Sequence, residues 1–251
     1  VLGGSELHLG WIVGVGAVGS LLMRLFLGRG IDRYGPRLVW FCSSVLLAAS
    51  CFAHLWITSC HGPAIYLWRI VFCCSWAGIL VSVMTFVSTR ASTPRMAEIV
   101  GMLGTSGLLG IVLGTQLGDF LLGTETVQPW QVDRMFLVAG ILGICSALFV
   151  WLATRGQVRP ARRRQPPMVW VLRRYHPGTL LLLVGVAIGA GLNLPATFLR
   201  PYAAELNIAR IALFFNVFAV TAIVTRVATR HLPERFGLQP MILLGLGGVF
   251  V

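Results

Sequence analysis

Asp32 is a single acid set among arginines. Arg24, Arg29, Arg33 and Arg37 surround it in and just before the stretch Gly28-Arg29-Gly30-Ile31-Asp32-Arg33-Tyr34-Gly35-Pro36-Arg37. A carboxylate in that field can be held by a helix N-terminus or an arginine in one conformation and released in another. Its chemistry is the exchange of contacts, not the making of bonds. Arg69 is a second candidate, because it lies about two turns inside an apolar run, where a charge is costly unless it is paired or faces a cavity. Trp76, Gln116, Asn193 and Asn216 also lie in apolar runs and could touch a ligand, with Pro195 close to Asn193. Each has a plainer alternative: interhelical hydrogen bonding for the amides, packing for Trp76, and snorkelling to the surface for Arg69.

Bond-breaking chemistry finds no support. The chain contains no HExxH, GxSxG or P-loop pattern and no carboxylate pair. Cys42, Cys51, Cys73, Cys74 and Cys145 lie inside apolar runs, where a thiol behaves as a small hydrophobe. Cys60 falls in a loop, and no histidine stands at zinc-ligand spacing. The expectation is no metal, no disulfide, no cofactor and no enzymatic activity.

Composition sets the environment. Of 251 residues 57% are hydrophobic and only 11% charged, against about 25% charged in a soluble domain. The expected partner is therefore the lipid bilayer. The net charge of +12 comes from twenty basic residues that are all arginines, most of which fall between apolar runs. That placement suits basic loops beside anionic lipid and excludes a nucleic-acid face.

The elements that must position these residues are apolar runs of spanning length at 8–27, 38–58, 63–88, 98–122, 132–154, 178–199 and 210–229, with another beginning at 240. The connections alternate in charge. Those at 28–37, 89–97, 155–177 and 230–239 carry arginine, those at 58–62 and 123–131 none, and 200–209 is mixed. By the positive-inside rule, 28–37 and 155–177 are expected to face the cytoplasm. The long basic connection 155–177, with prolines at 160, 166, 167 and 177, reads as a linker between residues 1–154 and 178–251. Within 98–122, Gly107, Gly110, Gly114 and Gly118 share one narrow helical face, which predicts close packing of a neighbouring helix; Gly10, Gly14 and Ala17 make a similar face. With Met241 to Val251 too short to span and no signal peptide visible, a fragment cut at both ends is expected.

An internal echo joins the two parts. Arg24-x7-Asp32-Arg33-Tyr34-Gly35 corresponds to Arg226-x7-Glu234-Arg235-Phe236-Gly237, with Arg230 in the place of Gly28 and Gln239 in the place of Arg37. Two parallel repeats joined by a linker suggest a two-bundle transporter.

These residues resemble the major facilitator superfamily. Gly28, Asp32, Arg33, Gly35 and Arg37 match its loop of form Gly-x-x-x-Asp-Arg-x-Gly-x-Arg/Lys between the second and third helices, and the copy around Glu234 matches the counterpart between helices eight and nine. The resemblance implies an all-α integral membrane bundle with two pseudo-symmetric halves, here helices two to nine of twelve. It implies alternating access, with the Asp32 loop bracing one half against the other. By pseudo-symmetry Glu234 should meet Arg95 or Arg90. Arg69 resembles an arginine of the family's fourth helix implicated in proton coupling, although Cys73 stands where glycine is usual and Gly78 is displaced. Gly110, Gly114 and Gly118 match part of an exporter motif in which Thr115 replaces proline and Asp119 replaces the last glycine. The implied function is secondary active, proton-coupled efflux of a small organic molecule in the cell (inner or plasma) membrane, by a protein monomeric when full length. Uptake of a monocarboxylate or other organic anion is the alternative, and a transporter-like sensor or scaffold is an alternative of another class.

Overall fold

The computed structural model describes residues 6–57, 59, 62–90, 96–123, 128–156 and 211–229, with separate positions at 174, 183, 185–187, 189, 191, 198–199, 202–203, 205–206, 240, 243, 245 and 247. Among them there is helix and no strand. The long helices are α1 (Glu6–Tyr34), α2 (Pro36–His54), α3 (Pro63–Ser88), α4 (Met96–Leu122), α5 (Pro129–Ala153) and α6 (Ala212–Thr229). All six are long and apolar enough to cross a bilayer. They correspond to six of the predicted spans. The run 178–199 and the one from 240 fall largely outside the described residues.

One boundary differs in kind from the sequence expectation. Residues 28–34 were expected in a loop with Gly28 ending the first helix, but α1 continues through them to Tyr34. The turn is the single residue Gly35, at φ 86°, ψ 155°. Its amide donates to the Ile31 carbonyl at 2.7 Å, and Pro36 begins α2, where a missing N–H costs nothing. No described atom comes within 4 Å of a Cβ built on Gly28, so no described helix crosses there. A side chain on Gly35 would be strained by about 1–3 kcal/mol. Gly35→Ala is therefore expected to lower the Tm of the full chain in detergent by about 3–10 °C. Gly28→Ala, within a helix and in open space, should leave Tm unchanged or raise it; equal effects at the two positions would contradict the one-residue turn.

The described chain divides into two compact units, residues 1–104 with 121–163 and residues 105–120 with 164–251. In the first unit α2 packs against α3 and α5, and α3 also packs against α1. The registers give the directions. Gly16 and Gly19 of α1 meet Arg69, Ile70 and Cys73 of α3, and Leu27 meets Gly78, so α1 and α3 run parallel. Ser43 meets Gly78, and Trp40 lies edge-on to Phe86 at 5.7 Å, so α2 runs antiparallel to α3. Phe52 meets Gly140 and Ala48 meets Gly143, so α5 also opposes α2. This is the alternation that successive membrane crossings require.

The interior of this unit is made of small residues. Ala48, Ala53, Ala77, Cys51, Ser44, Ser50, Ser75 and Ser82 are all at most 4% exposed, whereas Leu7, Phe149 and many other large apolar side chains point outward. In lipid an outward leucine loses nothing, so association rests on close backbone approach at small residues. Ser50 and Ser75 satisfy their hydroxyls by donating to the carbonyls of Leu47 and Val71, each at 2.7 Å.

The close approaches do not fall on the expected glycines. No described atom lies within 4 Å of a Cβ built at Gly107, Gly110, Gly114 or Gly118, nor at Gly10 or Gly14. They fall on Gly16, Gly19, Gly78, Gly140 and Gly143.

Candidate functional site

At the end of the first unit where α1 and α3 finish and α2 begins, Asp32 and Arg33 are exposed while Gly35 and Pro36 are buried. Leu27 and Ile31, on the inner side of the same turns, are 5% and 7% exposed. The apolar side chains hold this end of α1 in place, with the charged pair on its exposed side. Three arginines at this end each lie over a ring of their own segment: Arg33 over Tyr34 at 5.3 Å, Arg90 over Phe86 at 4.5 Å and Arg155 over Trp151 at 5.0 Å. Cation–π pairs of this kind suit the headgroup level of a bilayer. The opposite end carries exposed Trp11, Trp56 and Trp130, the composition of an aromatic belt. Arg95, Glu234, Arg235 and Gly237 lie outside the described residues, as does Asn193, so the expected Glu234–Arg95 contact has no geometry here.

Arg69 is the seventh residue of α3, about 9 Å along the axis from its start. Its Nε is buried and makes no hydrogen bond. Gly16 of α1 creates its space, since a Cβ there would stand 3.0 Å from Arg69 Cγ and 3.5 Å from Nε. The guanidinium lies over Phe72 at 5.5 Å. Nearby, His54 closes α2: its Nδ1 lies 2.6 Å from the Ser50 carbonyl oxygen and its ring stacks on Phe136 at 4.8 Å. A buried guanidinium nitrogen without an acceptor is an unused hydrogen-bond donor. Trp76 is on the same face of α3 two turns further on and is 53% exposed.

In the second unit Gln116 is exposed on α4, and Asn216 on α6 has a buried Oδ1 with no hydrogen-bond partner. Their two helices are joined by a hydrogen bond that the sequence does not announce. Asp119 Oδ2 accepts a hydrogen bond from the Ala212 amide at 2.9 Å. Gln116 is three residues before Asp119 and Asn216 four after Ala212, each about one turn along its own helix from that bond. The only sequence signal for it was an acid in the last turn of an apolar helix.

A family model described as the Major Facilitator Superfamily matches residues 1–251. No curated protein and no solved structure matches the chain.

Proposed function

The chain belongs to the Major Facilitator Superfamily, whose members are secondary transporters of the membrane and not enzymes, and from that premise we propose proton-coupled efflux of a small organic molecule by alternating access. The observation that carries this reading is the Gly28-x3-Asp32-Arg33-x-Gly35-x-Arg37 stretch, with its exposed Asp32-Arg33 pair held beside the buried Gly35 turn. A surface carboxylate on a rigid helix end can brace a second bundle in one state and release it in the other. In this reading residues 28–37 and the linker 155–177 face the cytoplasm of a cell (inner or plasma) membrane. The halves 1–154 and 178–251 alternate the access of a substrate, for which Arg69, Trp76, Gln116, Asn193 and Asn216 are the candidate substrate or coupling-ion contacts. Glu234, Arg235 and Gly237 repeat the brace toward Arg95, and the protein works as a monomer.

Asp32→Asn removes the charge and keeps the shape. In proteoliposomes of the full chain with an imposed proton gradient, flux of a transported organic molecule is expected to fall about tenfold or more, the loss appropriate to one hydrogen bond to a charged group. Unchanged flux in Asp32→Asn at equal reconstitution would refute the bracing role, and absence of flux in the parent would favour a sensor or scaffold. Uptake of a monocarboxylate or other organic anion is the second reading, favoured by the buried, unpartnered Nε of Arg69.

A further inference from the structure

His54 and Arg69 reach one height from two helices of the first unit. Ser43 of α2 meets Gly78 of the antiparallel α3. From that contact His54 lies eleven residues on along α2 and Arg69 nine residues back along α3, about 16 and 14 Å at the rise of a helix. The Arg69 charge reaches His54 across this interface. Each group rests on an aromatic ring: His54 stacks on Phe136 of α5 at 4.8 Å, and the guanidinium lies over Phe72 at 5.5 Å. His54 Nδ1 lies 2.6 Å from the Ser50 carbonyl oxygen, which only accepts. Nδ1 therefore carries the hydrogen, and the neutral ring has its lone pair on Nε2. Arg69 Nε is buried and donates to nothing, and no described carboxylate pairs with it. The other titratable groups of this end are Tyr66 and Cys73 of α3, each about one turn from Arg69, and the buried Cys51 of α2. On α5 the exposed Asp133 and Arg134 lie within a turn of Phe136, and Glu6 and His8 stand at the start of α1, two turns or more before Gly16.

We propose that His54 and Arg69 form a two-point anion site that takes up a proton together with its ligand, an organic monocarboxylate. Its oxygens accept from Arg69 Nε and from a protonated His54 Nε2. This deepens the organic-anion reading above and rests on it for the class of ligand. The carboxylate neutralises the guanidinium and offsets the charge of the imidazolium, so anion and proton each favour the binding of the other. Nδ1 keeps its hydrogen on the Ser50 carbonyl in both states, so the proton enters and leaves at Nε2 alone.

Calorimetric titration of the full chain in lipid nanodiscs, in two buffers of different ionisation enthalpy, counts the protons taken up per anion bound. Benzoate and benzenesulfonate are the probes; the sulfonate cannot carry the proton itself, so its uptake belongs to the protein. Near neutral pH, uptake of about one proton per anion is expected with both, and Kd should rise by up to about tenfold for each pH unit upward. His54→Asn places an amide N–H where Nδ1 stands, so it keeps a donor for Ser50 and cannot titrate. Uptake should then fall to near zero while Tm holds. Arg69→Gln should weaken both anions about 30-fold or more. Uptake that persists in His54→Asn would overturn the proposal, as would binding without uptake or no binding of either probe by the parent. Should His54→Asn fail to fold, diethyl pyrocarbonate decides on the parent. Benzenesulfonate is expected to slow modification of His54, located by mass spectrometry, about tenfold or more, and unchanged modification would overturn the site. Benzoate flux in proteoliposomes is scored separately: proton-linked binding without flux leaves the site standing and removes the transport reading, whereas flux without proton uptake keeps transport and removes the site.

Discussion

Gly143→Val is expected to disrupt the first unit, lowering Tm by about 6–12 °C, which corresponds to roughly 3 kcal/mol. A Cβ at this position would stand 2.9 Å from Ala48 Cβ, 3.1 Å from its Cα and 3.3 Å from its backbone nitrogen. No rotamer change relieves a clash with backbone, so α2 and α5 must move apart. At Gly140 the obstacle is the Phe52 ring, at 2.7 Å, and a ring can swing. Gly140→Ala should therefore cost less than Gly143→Val. Gly110→Val is the control: no described atom lies within 4 Å of its built Cβ, and because valine exceeds glycine in helix propensity the expected change is near zero or slightly stabilising. Thermal unfolding of the three variants in one detergent measures the order. Equal destabilisation at Gly110 and Gly143 would mean that the glycine ridge of α4 is a packing seam after all.

Arg69→Gln is expected to separate stability from function. The parent keeps a guanidinium nitrogen buried without an acceptor, a cost of about 1–3 kcal/mol for the unmade hydrogen bond alone. Neutral glutamine relieves the charge and fits beside Gly16, so Tm should hold or rise by a few degrees. Substrate affinity should move the other way. A ligand carboxylate that loses its buried partner gives up about 2–5 kcal/mol, or roughly 30-fold and more in KM. Arg69→Lys keeps the charge but loses the planar fork and should recover only part of the affinity. If Tm falls in Arg69→Gln while KM for every transported compound stays unchanged, Arg69 is a structural residue. If a neutral substrate is handled normally and only anions are lost, the organic-anion reading gains over efflux of neutral molecules.

Most of the secondary structure was legible because the membrane writes it into composition. The run 63–88 coincides with α3, and 98–122, 132–154 and 210–229 differ from α4, α5 and α6 by a few residues at their ends. The turn after α1 was less legible. Arg29, Asp32 and Arg33 look like loop residues by polarity, but a helix leaving the bilayer can carry charges on its exposed turns without breaking, and only a positive φ at Gly35 ends it. Candidate site residues were found by type, since a charge or an amide in an apolar run is conspicuous. Their neighbours were not. His54 and Phe136 stack across two helices, and nothing in either local sequence pairs them.

What the sequence determined by itself was the class: spanning helices, their alternation of charged ends, and the loop pattern around Asp32 that places the chain in its family. These are local properties, set by hydropathy over about 20 residues and by a motif of ten. Which glycines bring helices together was decided only by the tertiary structure. Gly107, Gly110, Gly114 and Gly118 look like a seam, yet contact depends on whether a facing helix presents Ala48, Ser43 or Phe52 at the matching height, and among the described residues those partners meet Gly143, Gly78 and Gly140 instead. The partner of Asp119 was decided the same way. Its carboxylate is explained by an amide ninety-three residues away, and only the fold sets that distance in space.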